Sequence, residues 1–337
     1  MRSALLLLPL AALVAACSPS PPEPDAGMAL PPDYSFPGRD TLRVATWNLE
    51  HFVDQQDNPY IDAGRENDPP PSMEGRVQRA VRALRQLDAG LVVLQEAESE
   101  AFLQTLVEDH LGDLGYRFFT SVESPSWYMN VVLVSRYPLG VVRNYADVTT
   151  PIADTYTDTG ALDAQSLTNH RLWAADVRVG PDAMWTVVGA HLKAGRSARD
   201  RNWRIGQIRF LHARLTRRIE DRPNLPVLIA GDLNATANSP ELRLLLNSPG
   251  RPAPDSIQSD AVRRRVRFTD PLAGTPSPTY PSDDPARQLD YLLFNDPLAD
   301  RLVEGSARVA RPLPDSTMAA TSDHLPVAAT FRLPAQN

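Results

Sequence analysis

The chain has 337 residues, 42% of them hydrophobic and 22% charged, which is enough to build a large core in one big domain or two ordinary ones. The formal net charge of -7 and the isoelectric point near 5.4 exclude a protein that coats nucleic acid with a wholly basic surface. A local basic cleft is compatible with this charge. Because Cys17 is the only cysteine, a disulfide within the chain is excluded.

The first 17 residues are typical of an export signal. Arg2 provides the positive charge, residues 4–13 are apolar but too short for a mature membrane-spanning helix, and small residues lead to Cys17. Small residues ending at a cysteine resemble a bacterial lipobox. This implies a lipid at Cys17 and an exported lipoprotein of the cell envelope, in the outer membrane or periplasm or at the cell surface. Ordinary secretory cleavage after Ala16 is the alternative.

The next segment, residues 18–40, is rich in proline and in small or acidic residues, so it cannot build a core. We expect a disordered tether, followed by one folded domain over residues 41–337. No second hydrophobic stretch is long enough to span a membrane, so the predicted membrane contact is the lipid alone. We also expect a monomer.

Strands and helices alternate in the first half of the predicted domain. The predicted strands are residues 41–47, 91–94 and 131–134, and the predicted helices are residues 77–87, capped by Ser72, and about 101–111. A long polar loop precedes the first helix and runs to about residue 72. Loops of that length in compact domains are usually functional or disordered.

The second half contains paired strands as well as helices. Residues 145–170 are predicted to be loop, and Gly180-Pro181-Asp182 predicts a hairpin between its two flanking strands. The predicted strands are residues 172–179, 184–190, 227–230, 289–294 and 327–331, and the predicted helices are residues 205–219 and 240–246. This order predicts an α/β domain with mixed rather than purely parallel sheets.

Six sets of polar side chains stand at the ends of predicted strands. They are Asn48, Glu96, His191, Asp232 with Asn234, Asp290, and Asp323 with His324. Taken singly, each fits a turn, a helix cap or a surface position. Four sets follow a strand and two precede one, so all six meet on one rim if the last two strands run antiparallel to the others. Oxygen ligands without a thiolate suit Mg²⁺, Mn²⁺ or Ca²⁺, and histidines beside carboxylates suit proton transfer and phosphate contact.

These sets lie in six short sequence blocks. The blocks are Trp47-Asn48-Leu49-Glu50, Leu94-Gln95-Glu96, His191-Leu192, Gly231-Asp232-Leu233-Asn234, Leu289-Asp290-Tyr291 and Ser322-Asp323-His324-Leu325-Pro326. In this order, over residues 41–333, they resemble the signature blocks of the endonuclease/exonuclease/phosphatase superfamily, to which deoxyribonuclease I belongs. The resemblance implies a four-layered α/β sandwich of two mixed β-sheets flanked by helices. It also implies metal-dependent hydrolysis of phosphoester bonds at one rim.

Carried over position by position, the resemblance implies a metal site and a histidine–aspartate pair. Glu96 and Asn48 would hold the metal, with Asp323 helping. Asp290 would orient His324 and favour its charged form, because an opposite charge nearby stabilises an imidazolium. His324 would then contact the phosphate or take a proton from water.

The resemblance also implies roles for the remaining sets. Asp232 would align or deprotonate the attacking water, and Asn234 would hold a phosphate oxygen. His191 would stabilise the phosphate or protonate the leaving oxygen. Arg171 and Lys193, the only lysine in the chain, would contact the phosphate. Whether Asp232 or the histidine–aspartate pair acts as the base stays open.

The favoured substrate is a phosphodiester of nucleic acid. Histidine at position 191 resembles deoxyribonuclease-like and sphingomyelinase-like members, whereas abasic-site endonucleases carry asparagine there. Arginines at positions 196, 199, 201 and 204, and a basic run at 263–267, would contact phosphates if they border the rim, or else form a solvated helix face. One alternative is a phospholipid phosphodiesterase, for which Trp127-Tyr128 is the candidate aromatic segment. The others are a phosphomonoesterase and a surface lipoprotein that uses the fold only for binding.

Overall fold

A computed structural model describes residues 30–165, 169–246 and 266–334, and two six-stranded sheets dominate it. The first sheet contains β1 (Thr41–Phe52), β2 (Leu91–Ala97), β3 (Phe118–Ser121), β4 (Asn130–Ser135), β13 (Arg308–Val309) and β14 (Val327–Arg332), in the order β13-β14-β1-β2-β4-β3. The second contains β5 (Leu139–Asn144), β8 (Leu172–Gly180), β9 (Ala183–His191), β10 (Val227–Asp232), β11 (Phe268–Thr269) and β12 (Asp290–Asn295), in the order β11-β12-β10-β9-β8-β5. A separate hairpin consists of β6 (Thr150–Tyr156) and β7 (Leu162–Gln165).

Both sheets are mixed, as the sequence predicts. In the first sheet, β1 runs parallel to β2 and antiparallel to β14. In the second, β10 runs parallel to β9 and antiparallel to β12. The strands that follow His324 and begin at Asp290 therefore run opposite to their neighbours. This is the orientation that places all six polar sets on one rim.

Helices accompany the two sheets, and the longer ones cover their outer faces. They are α1 (Gly64–Asn67), α2 (Met73–Leu87), α3 (Glu100–His110), α4 (Ala198–Asp221), α5 (Pro240–Leu246), α6 (Asp296–Ala299) and α7 (Asp315–Ala319). A capping box starts α4, since the Ser197 side chain accepts from the Asp200 N–H and the Asp200 side chain accepts from the Ser197 N–H. Ser72 occupies the cap position of α2 as predicted, but its side chain makes no capping hydrogen bond.

Three buried apolar clusters separate four layers, which confirms the predicted sandwich. The middle cluster lies between the sheets, where Val93 of β2 packs in the same cluster as Leu228 of β10. The outer clusters pack the first sheet against α2 and α3, and the second against α4 and α5. Trp173 joins the two sheets, because its indole N–H donates to the Val131 carbonyl at 2.8 Å. Its ring lies so close to Gly189 that a Cβ there would come within 2.3 Å of it.

The prediction that residues 145–170 are loop is wrong for the β6–β7 hairpin. Its strands carry exposed and charged residues in place of a regular apolar alternation, because the hairpin packs on α4 and not inside a sheet. Gly206 permits this contact, since a Cβ there would meet the Pro151 carbonyl oxygen at 2.1 Å. The sequence also missed four short or edge strands, β3, β5, β11 and β13.

The structure describes the last part of the predicted tether, residues 30–40, and this part contacts the domain. The Tyr34 ring packs at 5.4 Å from the Phe118 ring, and its hydroxyl donates to the Arg136 carbonyl at 3.2 Å. Ordered contacts therefore begin before the predicted boundary at residue 41. The predicted signal and Cys17 lie outside the described residues. Within the described ranges, no helix combines the length and the apolar character needed to cross a membrane.

Candidate active site

The polar strand ends meet where the two sheets meet. In the second sheet, Asp232 is the direct neighbour of His191 on β9 and of Asp290 on β12. In the first sheet, β1 and β2 deliver Asn48 and Glu96 side by side. The Asn48 amide nitrogen joins the sheets, because it donates to Glu96 Oε1 and to Asp232 Oδ2, each at 3.2 Å.

A glycine before Asp232 lets β9 and β10 approach each other at this point. Gly231 has φ of 152°, and a Cβ there would lie 1.8 Å from the Ala190 carbonyl oxygen. Any other residue would push the strands apart and displace the adjacent Asp232. The glycine of the Gly-Asp-x-Asn block therefore positions Asp232 and does more than mark the end of a strand.

His324 and Asp290 form a buried ion pair. His324 Nδ1 lies 2.7 Å from Asp290 Oδ2, and the two side chains are 7% and 0% exposed. Burial alone lowers the pKa of His324, but the charge of Asp290 and its hydrogen bond outweigh burial and raise it to about 10. The imidazole is therefore charged at neutral pH. The second oxygen of the Asp290 carboxylate, Oδ1, is buried without a hydrogen-bond partner among the residues described.

Hydrogen bonds from both sheets hold this pair in place. The Ser322 hydroxyl accepts from the His324 N–H at 3.0 Å and donates to the Asn48 carbonyl at 2.6 Å. The Trp47 indole donates to the His324 carbonyl at 2.9 Å. The Thr279 hydroxyl accepts from the Asp290 N–H at 3.3 Å. The position of the imidazolium is thus fixed by the fold.

His191 has the opposite protonation state. Its Nε2 lies 3.8 Å from Glu96 Oε1 and 3.7 Å from Asp232 Oδ2. Burial lowers its pKa to about 3, so the ring is neutral at physiological pH. Its Nδ1 is buried with no partner in the described part of the chain. The rim therefore holds one charged and one neutral histidine, because the two environments push the pKa values apart.

Asp232 lies at the centre of this arrangement. Its Oδ2 accepts from the Asn48 and Asn234 side-chain amides at 3.2 and 3.3 Å, and lies 3.9 Å from His324 Nε2. Its Oδ1 accepts from the Asn234 N–H at 2.8 Å. Burial raises the pKa of Asp232. Asn234 also donates to the Leu192 carbonyl at 3.1 Å, so in this structure it orients Asp232 rather than facing open space.

An acidic cluster next to Asn48 fits a divalent cation. Glu96 accepts from the His51 N–H at 2.9 Å, and Glu50 accepts from the Asp323 N–H at 3.1 Å. Burial raises the pKa of Asp323 to about 6, and the charges of Glu50 and Glu96 add to the increase. A hard cation would relieve this repulsion, and carboxylate and amide oxygens are its preferred ligands. To offer its oxygen, Asn48 must turn its amide over, since Oδ1 now accepts from the Glu50 N–H at 2.9 Å.

A second set of potential ligand atoms belongs to Asp232, Asp290 and His324, which lie within 4.8 Å of one another. Here Asp290 already occupies His324 Nδ1 at 2.7 Å. The donor chemistry therefore favours the first cluster, which contains the predicted ligands Asn48, Glu96 and Asp323.

Sequence reasoning assigned no role to three residues at this rim. Glu50 joins the acidic cluster, and a signal existed, since it lies two residues after Asn48 on an extended strand. His51 Nδ1 lies 2.5 Å from the Tyr128 hydroxyl, and His51 Nε2 lies 3.9 Å from Glu96 Oε2. The third is Tyr280, whose ring lies 4.8 Å from that of His324. Neither Tyr280 nor the contact between His51 and Tyr128 had a sequence signal.

The two predicted phosphate-binding side chains are placed differently. Arg171 lies near the rim, since its charge acts on both Glu96 and His191. Lys193 instead directs its ammonium to Asp200 Oδ1 at 3.1 Å and to the Ala194 carbonyl at 2.7 Å, at the start of α4. No contact of Lys193 with the predicted site carboxylates is seen in the described residues.

The predicted arginine cluster is divided in the same way. Arg204 is buried and pairs with Glu241 at 2.9 Å, which makes it a structural residue. Arg199 is exposed and pairs with Asp163 of the hairpin at 2.8 Å. Arg196 and Arg201 are exposed just before and within the first turn of α4. In the second run, residues 263–265 lie outside the described residues.

Comparisons with known proteins agree with the fold described above. The family model described as "Endonuclease/Exonuclease/phosphatase family" matches residues 45–324. Among solved structures, an endonuclease/exonuclease/phosphatase from Beutenbergia cavernae is 21% identical, with a TM-score of 0.52 over 88% of this chain and 72% of that one.

Two further solved structures share the fold. The human Nocturnin catalytic domain with bound sulfate is 16% identical, with a TM-score of 0.54 over 88% of this chain and 96% of that one. An AP endonuclease from Archaeoglobus fulgidus is 17% identical, with a TM-score of 0.53 over 87% of this chain and all (100%) of that one. A search of the curated proteins gives no match. Because the family model covers most of the chain, including all six polar sets from Asn48 to His324, the protein belongs to the endonuclease/exonuclease/phosphatase family.

Proposed function

We propose that the protein is a divalent-metal-dependent phosphodiesterase whose preferred substrate is nucleic acid. Members of the family are hydrolytic phosphoesterases. The observation that carries the proposal is the pair of buried histidines in opposite protonation states on either side of Asp232, next to an acidic cluster. A site without catalytic use would have no reason to bury so many ionisable groups together.

The cation would be Mg²⁺, with Mn²⁺ and Ca²⁺ as further candidates of the same hard class. Glu96 and Asn48 would hold it, with Asp323 and Glu50 completing the acidic cluster. When bound, it supplies polarisation of a phosphoryl oxygen and neutralises charge in the transition state.

The protein's own groups divide the remaining work. Asp232 accepts the proton of the attacking water, because burial raises its pKa, the direction that a base working near neutral pH needs. The His324 imidazolium, kept charged by Asp290, binds a phosphoryl oxygen. Neutral His191 donates a hydrogen bond from Nε2 to the phosphate, and Asn234 orients Asp232.

The preference for nucleic acid is supported by Arg171 near the rim and by exposed arginines at the start of α4. Guanidinium groups pair well with the phosphates that flank a scissile bond. We further propose that the domain is exported and held to the membrane by a lipid at Cys17 alone, on the strength of the N-terminal sequence pattern. Phospholipid, a phosphomonoester and a purely binding role are the competing outcomes.

The deciding experiment compares substrates under matched metal conditions. DNA, RNA, sphingomyelin vesicles and a phosphomonoester are each incubated with Mg²⁺ or with chelator. We expect cleavage of nucleic acid that needs metal and falls steeply with salt. Glu96→Gln should lose at least about a hundredfold in kcat/KM, because metal stabilisation of the transition state contributes several kcal/mol. Glu304→Gln, at an exposed loop position, is the matched control.

Three results would contradict parts of the proposal. Full activity in excess chelator would exclude the metal. Turnover of sphingomyelin without turnover of nucleic acid would exclude the substrate class. Absence of any phosphoesterase activity in the folded, metal-loaded chain would support the binding role.

A further inference from the structure

A cavity of about 330 Å³ lies beside the rim and has no role in the chemistry described above. Its walls are Ser124, Ser126, Trp127, Met129, His170 and Arg171. The volume falls within the range of small-molecule sites, about 300–1,000 Å³. The cavity adjoins the active site through Arg171 and through Tyr128. Arg171 acts electrostatically on Glu96, and Tyr128, the neighbour of Trp127, contacts His51.

The aromatic wall of this cavity is held in place before any ligand binds. The Trp127 ring lies 5.1 Å from the Tyr128 ring at an angle of 37°, and Trp127 remains 38% exposed. A backbone bridge joins Ser124 to Trp127. Asn130 secures the turn, since its Oδ1 accepts from the Ser124 N–H at 3.0 Å and its Nδ2 donates to the Glu98 carbonyl at 2.6 Å. A preformed aromatic surface binds a flat ligand at a low entropic cost.

A cationic side chain, Arg171, also lines the cavity. In the described parts of the chain, the Arg171 guanidinium forms no hydrogen bond and no ion pair. Burial lowers its pKa, and the neighbouring Glu96 and Tyr128 oppose this change. Buried polar groups are usually paired, so a partly buried guanidinium without a partner is suited to an anionic ligand.

We propose that the cavity binds the nucleobase of a nucleotide next to the scissile phosphate, with the base stacked on Trp127 and its phosphate on Arg171. This inference rests on the proposed function and specifies how that site selects its substrate. Every base has a π-face, so such a surface distinguishes nucleotides from other phosphodiesters without reading sequence. Trp127 and Met129 supply the apolar surface of the cavity, and the two serines, His170 and Arg171 supply hydrogen-bond donors that a base and a phosphate can use and an acyl chain cannot.

The test measures the contribution of the base to cleavage separately from that of the sugar–phosphate backbone. Cleavage of oligothymidylate is compared with cleavage of an equally long oligomer of abasic tetrahydrofuran nucleotides, which has the same phosphates. We expect the full-length, metal-loaded protein to prefer oligothymidylate by about 5- to 100-fold in kcat/KM, the usual effect of one stacked base. Trp127→Ala should bring this ratio close to one, and Trp127→Phe should keep most of it. Tyr156→Ala, at an aromatic residue that is 64% exposed on the hairpin, should leave it unchanged.

The outcomes distinguish this inference from the proposed function. Equal cleavage of both oligomers by the wild type, or an unchanged ratio in Trp127→Ala, overturns the base site and leaves the nuclease proposal standing. Cleavage of neither oligomer, together with no cleavage of DNA or RNA in the substrate comparison, overturns both. Loss of sphingomyelin hydrolysis in Trp127→Ala with no change on oligothymidylate would assign the cavity to lipid.

Discussion

The substitution Asp290→Asn tests the electrostatic basis of the site. It keeps the size of the side chain and an oxygen that can accept from His324 Nδ1, but it removes the charge. The pair lies at 2.7 Å with both side chains almost fully buried, so solvent screens it little. The pKa of His324 is about 10 in this environment, against an ordinary value of about 6.5, and each unit corresponds to about 1.4 kcal/mol. The interaction that keeps the imidazole charged is therefore on the order of several kcal/mol.

Without that charge, burial lowers the pKa of His324 and only Asp232 and Asp323 oppose it, so the charged fraction of the ring at pH 7.5 decreases. We expect kcat/KM for a phosphodiester to fall by about 10²- to 10³-fold, the usual effect of removing one group that stabilises charge in the transition state. Hydrolysis is measured from pH 5 to pH 9, and the His324 ring protons are titrated by NMR in the metal-free protein. Asp300→Asn, at an exposed position after α6, is the matched control.

The His324–Asp290 pair also leads to a prediction about how the free energy of unfolding depends on pH. A histidine whose folded pKa is raised contributes stability that is complete below its unfolded pKa, about 6.5, and is lost as pH rises toward the folded value. The metal-free wild type should therefore lose unfolding free energy between about pH 6.5 and 10, and Asp290→Asn should lose less. Activity within threefold of wild type, together with an unchanged titration of His324, would refute the reasoning.

Three other substitutions test the roles of Lys193, Arg171 and Cys17. Lys193→Arg should change kcat and KM by less than about twofold, because the ammonium pairs with Asp200 and contacts none of the predicted site carboxylates among the described residues; a larger kinetic effect would return Lys193 to the site. Arg171→Gln should weaken cleavage of all nucleic-acid sequences alike and reduce the salt slope of binding by about one, which a filter-binding series at increasing salt would measure. Cys17→Ser should move the protein from the membrane to the soluble fraction, and an unmodified Cys17 at the mature N-terminus by mass spectrometry would exclude the anchor.

The rim could be predicted because its residues follow strands that the sequence marks clearly. Strands buried on both faces, such as β2 and β10, appear as continuous apolar runs, so their ends are easy to locate. Pairing of β10 with β12 then brings Asp232 next to Asp290. The hairpin β6–β7 was missed because it packs on a helix and keeps polar residues on its strands. For Lys193, the rarity of the residue carries no information about side-chain direction, and its ammonium pairs with Asp200.

The rest of the site depends on backbone conformations that a hydrophobic pattern does not record. Glu50, His51, Glu96 and Asn234 all have positive φ, between 48° and 57°, although none is a glycine. Such conformations cost of order 1–3 kcal/mol each and persist where surrounding contacts enforce them. Here Arg76 donates to the carbonyls of Leu49 and Glu50 at 2.7 and 2.5 Å, which fixes the end of β1. The strain turns Glu50 and Glu96 toward one cluster. The fold thus stabilises a concentration of negative charge that the chain would otherwise avoid, and that charge suits the rim to a divalent cation.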